Sequence, residues 1–168
     1  GCTDIDDALH AIALDNGNFE VGVHIADVTH FVKADTPLDL EASTRSTTVY
    51  LVDRRIDMLP GLLGTNLCSL KCNVERLAFS CIWELTPEAQ IVSTRFCKSV
   101  IASKASFTYD EAQARLESAH SNDALSNSLH LLNALAKKLK AQRIAAGALT
   151  LASPEVRFTL ETETHNPV

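Results

Sequence analysis

The spacing of apolar and polar residues changes period several times along the chain, and each change marks an element. Residues 8–14, ALHAIAL, are apolar with polar punctuation, and DNGN follows at 15–18. Asn-Gly tolerates positive φ, so this stretch predicts a tight hairpin turn. FEVGVHIADVTHFV, 19–32, is rich in β-branched residues and reads as the returning strand. Asp35-Thr36-Pro37 predicts a helix start that LDLEAST continues, and STTVYLV at 46–52 predicts another strand. IDMLPGLLGTNLCSL, 56–70, is irregular, broken by Pro60, Gly61 and Gly64. RLAFSCIWEL at 76–85 and IVSTRFCKSVIAS at 91–103 predict two strands paired across TPEAQ.

The second half turns helical. Thr108 and Glu111 form a capping box ahead of YDEAQARLES. A longer helix is expected from Asp123, with Leu125, Leu129, Leu132, Leu135 and Leu139 as a core-packing stripe and Gly147 as its stop. The basic KKLKAQR at 137–143 complements that helix's dipole and reads as a solvated face. PEVRFTLE, 154–161, suggests a final strand. The fold class that results is α+β: a mixed, largely antiparallel sheet with flanking helices, without repeats or a low-complexity linker.

Composition adds limits. The 168 residues are 46% hydrophobic, enough for the core of one domain or of part of a larger one. No apolar run approaches the roughly 18 residues of a membrane span, so no membrane partner is expected. The chain opens at Gly1-Cys2 without Met and closes at Asn166-Pro167-Val168, so it reads as a piece of a longer protein. A formal charge of −6 argues against a stand-alone electrostatic nucleic-acid binder. It leaves room for an acidic metal site that meets phosphate through cations. Cys2, Cys68, Cys72, Cys81 and Cys97 are odd in number, which favours free thiols. Cys68 and Cys72 have half the spacing of a zinc site but lack a second pair, and Cys81 reads as core. His24 and His30 could share a strand face, in a structural role.

The feature that asks for chemistry is DIDDALH, Asp4 to His10. Asp4, Asp6 and Asp7 crowd three carboxylates just before apolar sequence. Like charges this close disfavour one another's ionised form, so a positive partner is expected nearby. A calcium EF-hand loop fails because its fifth and sixth positions hold Ala8 and Leu9. A haloacid-dehalogenase-type phosphotransferase would need Thr or Val where Ala8 stands. A solvated acidic turn and a magnesium site for phosphodiester cleavage both stay open. In a straight strand Asp4 and Asp6 point one way and Asp7 the other, so convergence needs a bend near Asp6-Asp7. Ile5 would then point into the core and anchor the segment.

DIDDA followed by GVHIADVTHFV resembles the catalytic RNB domain of the RNase II/RNase R exoribonucleases. TTVYL, MLP, LCSL and RLAFS recur in the same order. RRIDMLPGLL, NLCSLKCNVERLAFSCIWEL, KSVIASKASFTYDEAQ and GALTLASPEVRF are most similar to the branch that serves as the eukaryotic exosome's catalytic subunit. The resemblance covers essentially the whole chain. It implies residues 1–168 are the N-terminal part of an RNB catalytic domain, cut at both ends. It implies a processive 3′→5′ hydrolytic exoribonuclease that releases nucleoside 5′-monophosphates, depends on Mg²⁺ (or Mn²⁺), takes single-stranded RNA by its 3′ end, joins the exosome core, and works in nucleus, nucleolus and cytoplasm.

The family's clustered metal-site aspartates match Asp4, Asp6 and Asp7, with Asp6 at the position whose loss abolishes cleavage. Asp4 and Asp7 are then expected to hold Mg²⁺, and Asp6 to position a second ion or the attacking water. Tyr50 matches an aromatic that packs on the 3′-terminal nucleotide. The family's further metal-binding Asp, catalytic Arg and second aromatic have no counterpart between Gly1 and Val168. The chain alone is therefore expected to bind Mg²⁺ weakly and to be inactive. The rival expectation is a non-catalytic RNB-like scaffold for exosome docking.

Overall fold

The computed structural model describes residues 4–118 and 123–152. Its frame is a four-stranded antiparallel sheet, order β1-β2-β5-β6, built from β1 (Asp7–Ala13), β2 (Phe19–Ala26), β5 (Glu75–Leu85) and β6 (Ile91–Ala102). Between β2 and β5 the chain makes one helical turn, α1 (Val28–Phe31), the helix α2 (Pro37–Arg45), a two-stranded hairpin of β3 (Val49–Tyr50) and β4 (Arg55–Ile56), and a π-helical turn over Leu63–Leu67. Two helices follow the sheet, α3 (Tyr109–Glu117) and α4 (Ala124–Ala145). The α+β class and the largely antiparallel sheet are as the sequence implies. The strand expected at 154–161 and Cys2 lie outside the described residues.

Local chemistry accounts for the boundaries. The first hairpin closes through Leu14 N–H to Asn18 C=O at 2.8 Å and Gly17 N–H to Leu14 C=O at 3.1 Å. Only Gly17 in this turn has positive φ, +83°, and the hairpin turn expected at 15–18 is a three-residue loop closed by Leu14 and Asn18. The β5–β6 turn repeats the pattern, with Thr86 N–H on Gln90 C=O and Ala89 at φ 61°. Thr36 caps α2, with Pro37 in its first turn. Thr108 and Glu111 make both bonds of their capping box. α4 ends in a Schellman arrangement: Gly147 N–H reaches Ile144 C=O and Ala148 N–H reaches Arg143 C=O, with Gly147 at φ +91°.

Two strand expectations are corrected. The strand at 19–32 stops at Ala26, because Asp27 leaves the ladder and the next residues wind into α1. His24 and His30 therefore do not share a strand face: His24 is buried on β2 and His30 is exposed on α1. The strand at 46–52 shrinks to Val49–Tyr50, because it pairs only with the equally short Arg55–Ile56.

The sheet is covered on its two faces at opposite ends. Ala11, Val21 and Leu85 project from one face and pack with Ala89 and Leu135, flanked by Phe19, Trp83, Leu131, Leu132 and Leu139. Of the expected leucine stripe, Leu132, Leu135 and Leu139 thus pack as core, joined by Leu131. β1 is an edge strand, and α4 covers it: Ser128 Oγ donates to Ala11 C=O (3.1 Å) and accepts from Ala11 N–H (3.3 Å). On the other face Ala26 and Ala78 join Leu63, Cys68 and Leu70, with Ile5, Ala8, Phe31 and Leu38 against them. The segment between β2 and β5 supplies most of this second core, and it forms beside the start of β1.

Candidate active site

The acidic segment enters β1 as a strap held by its backbone. Ile5 N–H donates to Ser69 Oγ at 3.1 Å, and Leu70 N–H donates to Ile5 C=O at 2.8 Å. Ser69 and Leu70 are each 1% exposed, so the strap is fastened to the best-buried part of the second core. Ile5 packs on that core, as expected. One residue on, Ala26 N–H donates to Asp6 C=O at 2.9 Å, which starts the β1–β2 ladder. LCSL thus acts as a clamp 64 residues away from DIDD.

Each carboxylate on this strap meets a different environment. Asp4 is half-buried, and its Oδ2 accepts from Arg55 Nη1 at 2.5 Å. Arg55 Nε also reaches Asp57 Oδ1 at 2.5 Å, so one guanidinium serves two carboxylates. The Asp4 hydrogen bond is the main reason that guanidinium holds its proton above the usual value. A β-carbon at Gly64 would lie 3.5 Å from Asp4 Oδ2, so the π-helical turn backs this carboxylate closely. Asp6 and Asp7 are exposed, and Asp7 opens β1 opposite Ile25.

A fourth carboxylate was not singled out from the sequence. Asp27 is 5% exposed; it accepts from Thr29 Oγ1 at 2.5 Å and pairs with Lys98 Nζ at 2.9 Å. The Thr29 hydrogen bond, then Lys98, holds its carboxyl below the usual range. Beside it, burial pushes the Cys68 thiol up, and the charges of Asp27 and Asp6 add to the shift. Cys81 is half-buried, and its thiol too is pushed up by burial.

Tyr50 stands in register opposite Arg55 on the β3–β4 hairpin, with its side chain 76% exposed. A ring this exposed does not fill a core. The hairpin therefore brings three things into one neighbourhood: Tyr50, Arg55, and through Arg55 the Asp4 carboxylate. The positive partner that the acidic cluster calls for is Arg55. It is 51 residues from Asp4, and the only hint in the sequence is an Arg54-Arg55 pair just ahead of Asp57.

The convergence expected of Asp4, Asp6 and Asp7 is absent. Among the described residues no three His, Cys, Asp or Glu side chains are arranged to hold a metal ion. The donor type suits magnesium, which takes carboxylate oxygens: Asp6 and Asp7 stand open to solvent, and Asp4, now turned to Arg55, would have to exchange that guanidinium for the ion. Among the described residues no helix is long and apolar enough to cross a membrane.

Known proteins carry the same fold and much of the same sequence. The chain is 63% identical over 168 residues to the human exosome complex exonuclease RRP44, covering 100% of this chain and 18% of that protein. Its structure resembles Mycoplasma genitalium RNase R solved with double-stranded RNA, with a TM-score of 0.89 and 27% identity over 99% of this chain and 30% of that one. It also resembles yeast Ssd1, described as a pseudonuclease, with a TM-score of 0.73 and 25% identity over 83% of this chain and 17% of that one. The chain thus spans under a third of the length of each of these proteins. The RNB domain matches residues 1–168, and over that whole length the chain belongs to the RNB domain family.

Proposed function

We propose that this chain is part of the catalytic domain of a 3′→5′ hydrolytic exoribonuclease of the exosome type. It degrades single-stranded RNA from the 3′ end to nucleoside 5′-monophosphates, in nucleus, nucleolus and cytoplasm. The observation that carries the reading is the strap: Ser69 and Leu70 fix the backbone of Ile5, while Asp6 and Asp7 on either side of the strand entry stay open to solvent. A solvated acidic turn would not need a clamp built from two residues that are 1% exposed. The resemblance to exonuclease RRP44 over every residue supports the same reading.

Within this reading Asp4, Asp6 and Asp7 are part of a magnesium ligand set, and the remaining ligands come from outside these 168 residues. When bound there, Mg²⁺ (or Mn²⁺) supplies an acidified water and offsets charge on the leaving oxygen. The residues of this chain do the positioning. Asp6 would position a second ion or the attacking water, and Tyr50 offers an exposed π-face to the terminal base, a contact every base can make. The 168 residues alone hold the ion weakly and do not hydrolyse RNA.

The test is Asp6→Asn in the full-length protein, which keeps the shape of the side chain and removes one charge. Release of mononucleotides from labelled single-stranded RNA should nearly cease, while RNA binding at matched salt stays equal or tightens. Turnover near that of the parent sinks the catalytic assignment. The similarity to a pseudonuclease favours one second reading, a non-catalytic RNA-binding or docking scaffold. In that case neither protein releases mononucleotides.

A further inference from the structure

Across the middle of the sheet, on the face that carries Ala26 and Ala78, runs a line of polar side chains that the reading above does not use. Glu20 Oε1 lies 3.2 Å from His10 Nε2, and His10 Nδ1 lies 2.8 Å from His24 Nε2. His24 Nδ1 lies 2.6 Å from Ser80 Oγ, Ser80 Oγ lies 2.6 Å from Ser99 Oγ, and Ser99 Oγ lies 3.3 Å from Ala78 C=O. From His10 to Ser99 the line crosses β1, β2, β5 and β6 in order. His24 is 8% exposed and Ser80 is 0% exposed. The two imidazoles stack, with centroids 5.0 Å apart. Gly22 makes room for them, since a β-carbon there would sit 2.3 Å from His10 Cε1.

Counting hydrogens gives the result. The five contacts in this line end in two groups that only accept, the Glu20 carboxylate and the Ala78 carbonyl. Between them stand two neutral imidazoles and two hydroxyls, each with one hydrogen to give. The line is therefore one hydrogen short, and some contact must set acceptor against acceptor. We propose that His10 and His24 form a one-proton site: His10 carries both ring hydrogens, donating to Glu20 and to His24, and His24 stays neutral with its hydrogen on Nδ1. Ser80 then donates to Ser99 and Ser99 to Ala78, so all five contacts are made.

The surroundings agree with this placement. Burial, and then the neighbouring His10, hold His24 below the ordinary imidazole range, so the extra proton belongs on His10. The charged and titratable groups that share the face are Glu20 on β2, Arg76 and Glu84 on β5, and Arg95 and Cys97 on β6, with Arg76 Nε taken up by Ser69 C=O at 3.0 Å. Glu84 is taken up by Asn16 and Asn18, and Arg95 reaches the second oxygen of Glu20 at 3.5 Å. That leaves Glu20 Oε1 as the carboxylate oxygen facing His10. The proton fastens β1, the edge strand that Asp7 opens, to the sheet interior. Where the folded state keeps this proton and the unfolded chain does not, the folding constant falls up to tenfold per pH unit.

The test uses ¹⁵N-histidine labelling, which reads the protonation of each ring nitrogen, at about pH 7.5, roughly one unit above the ordinary imidazole midpoint. His10 should show both nitrogens protonated and His24 a neutral ring with its hydrogen on Nδ1. In Glu20→Gln the amide supplies the missing hydrogen. His10 should then become neutral at the same pH, and the fall in the folding constant above that pH should flatten. Two results would overturn the proposal. One is a pair of neutral rings in the unsubstituted protein, each with its hydrogen on Nε2, the four-hydrogen line that gives up only the 3.3 Å Ser99 contact. The other is a His10 charge state unmoved by Glu20→Gln.

Discussion

Replacing Ser69 by Ala removes one oxygen and leaves the rest of the second core in place. That oxygen accepts the Ile5 N–H at 3.1 Å, midway between Asp4 and Asp6. The site is 1% exposed at Ser69, so no solvent stands ready to take over the donor. A buried donor left without a partner costs about 1–3 kcal/mol. The strap has a cheaper way out. It can lift from the core and hydrate its amide, giving up the Leu70 to Ile5 bond and the Ile5 contacts as it does so. The loss should therefore appear as local opening of residues 4–6, favoured by about 5- to 150-fold at about 1.4 kcal/mol per decade. Global stability should fall by less than the local change. Hydrogen exchange is the assay, because Leu70 N–H is protected by the strap, whereas the backbone of Ala78 lies in a central strand, in register between Ala26 and Ser99. Leu70 should exchange much faster in Ser69→Ala while Ala78 stays close to its original rate, and RNA hydrolysis by the full-length variant should fall in step with Leu70 protection. Unchanged exchange at Leu70 would show that the clamp does not hold the aspartates.

Three further outcomes follow from the geometry. Tyr50→Ala, at a side chain 76% exposed, should change folding stability by no more than about 0.5 kcal/mol yet weaken binding of short oligoribonucleotides by about 1–3 kcal/mol per base; a large drop in melting temperature with unchanged affinity would contradict the stacking role. The Asp27 carboxyl is held below its ordinary value of 3.8, chiefly by Thr29 and then Lys98, so its stabilisation is present above that pH and is lost as pH falls through the lower folded value; urea unfolding from neutral pH downward should show an acid limb that Asp27→Asn flattens. Gly64→Ala places a methyl at ordinary contact distance, 3.5 Å, from Asp4 Oδ2 inside a helical turn, so it should raise stability by about 0.5–1 kcal/mol and leave hydrolysis intact, as thermal melts and product assays will report.

What could be read from the residues follows the range of the interactions involved. The β5–β6 pair, the Thr108 capping box, the Leu132, Leu135 and Leu139 part of the α4 stripe and its Gly147 stop are local in sequence, and all are found. The β1–β2 hairpin was legible from DNGN, while its loop length of three residues is set by the Leu14–Asn18 hydrogen bond. STTVYLV has the composition of a strand, yet composition does not supply a partner of equal length. Asp4, Asp6, Asp7 and Tyr50 stood out as residue types, and the need for a nearby cation followed from charge alone. Which cation answers that need, and that Ser69 holds the strap, depends on contacts spanning 51 and 64 residues. No periodicity within a window reports such contacts.

The space over Gly22 has an evolutionary consequence. A methyl group there would come within 2.3 Å of His10 and 3.0 Å of His24, so the His10 ring would have to leave its present place. Positions 10 and 22 therefore cannot drift independently. A lineage that gains a side chain at 22 must turn the imidazole at 10 aside or exchange it for something smaller, and in either case Glu20 loses its partner. Among RNB domains the three positions should change together, as a linked set in aligned sequences, with Gly at 22 favoured where His stands at 10 and an acid at 20.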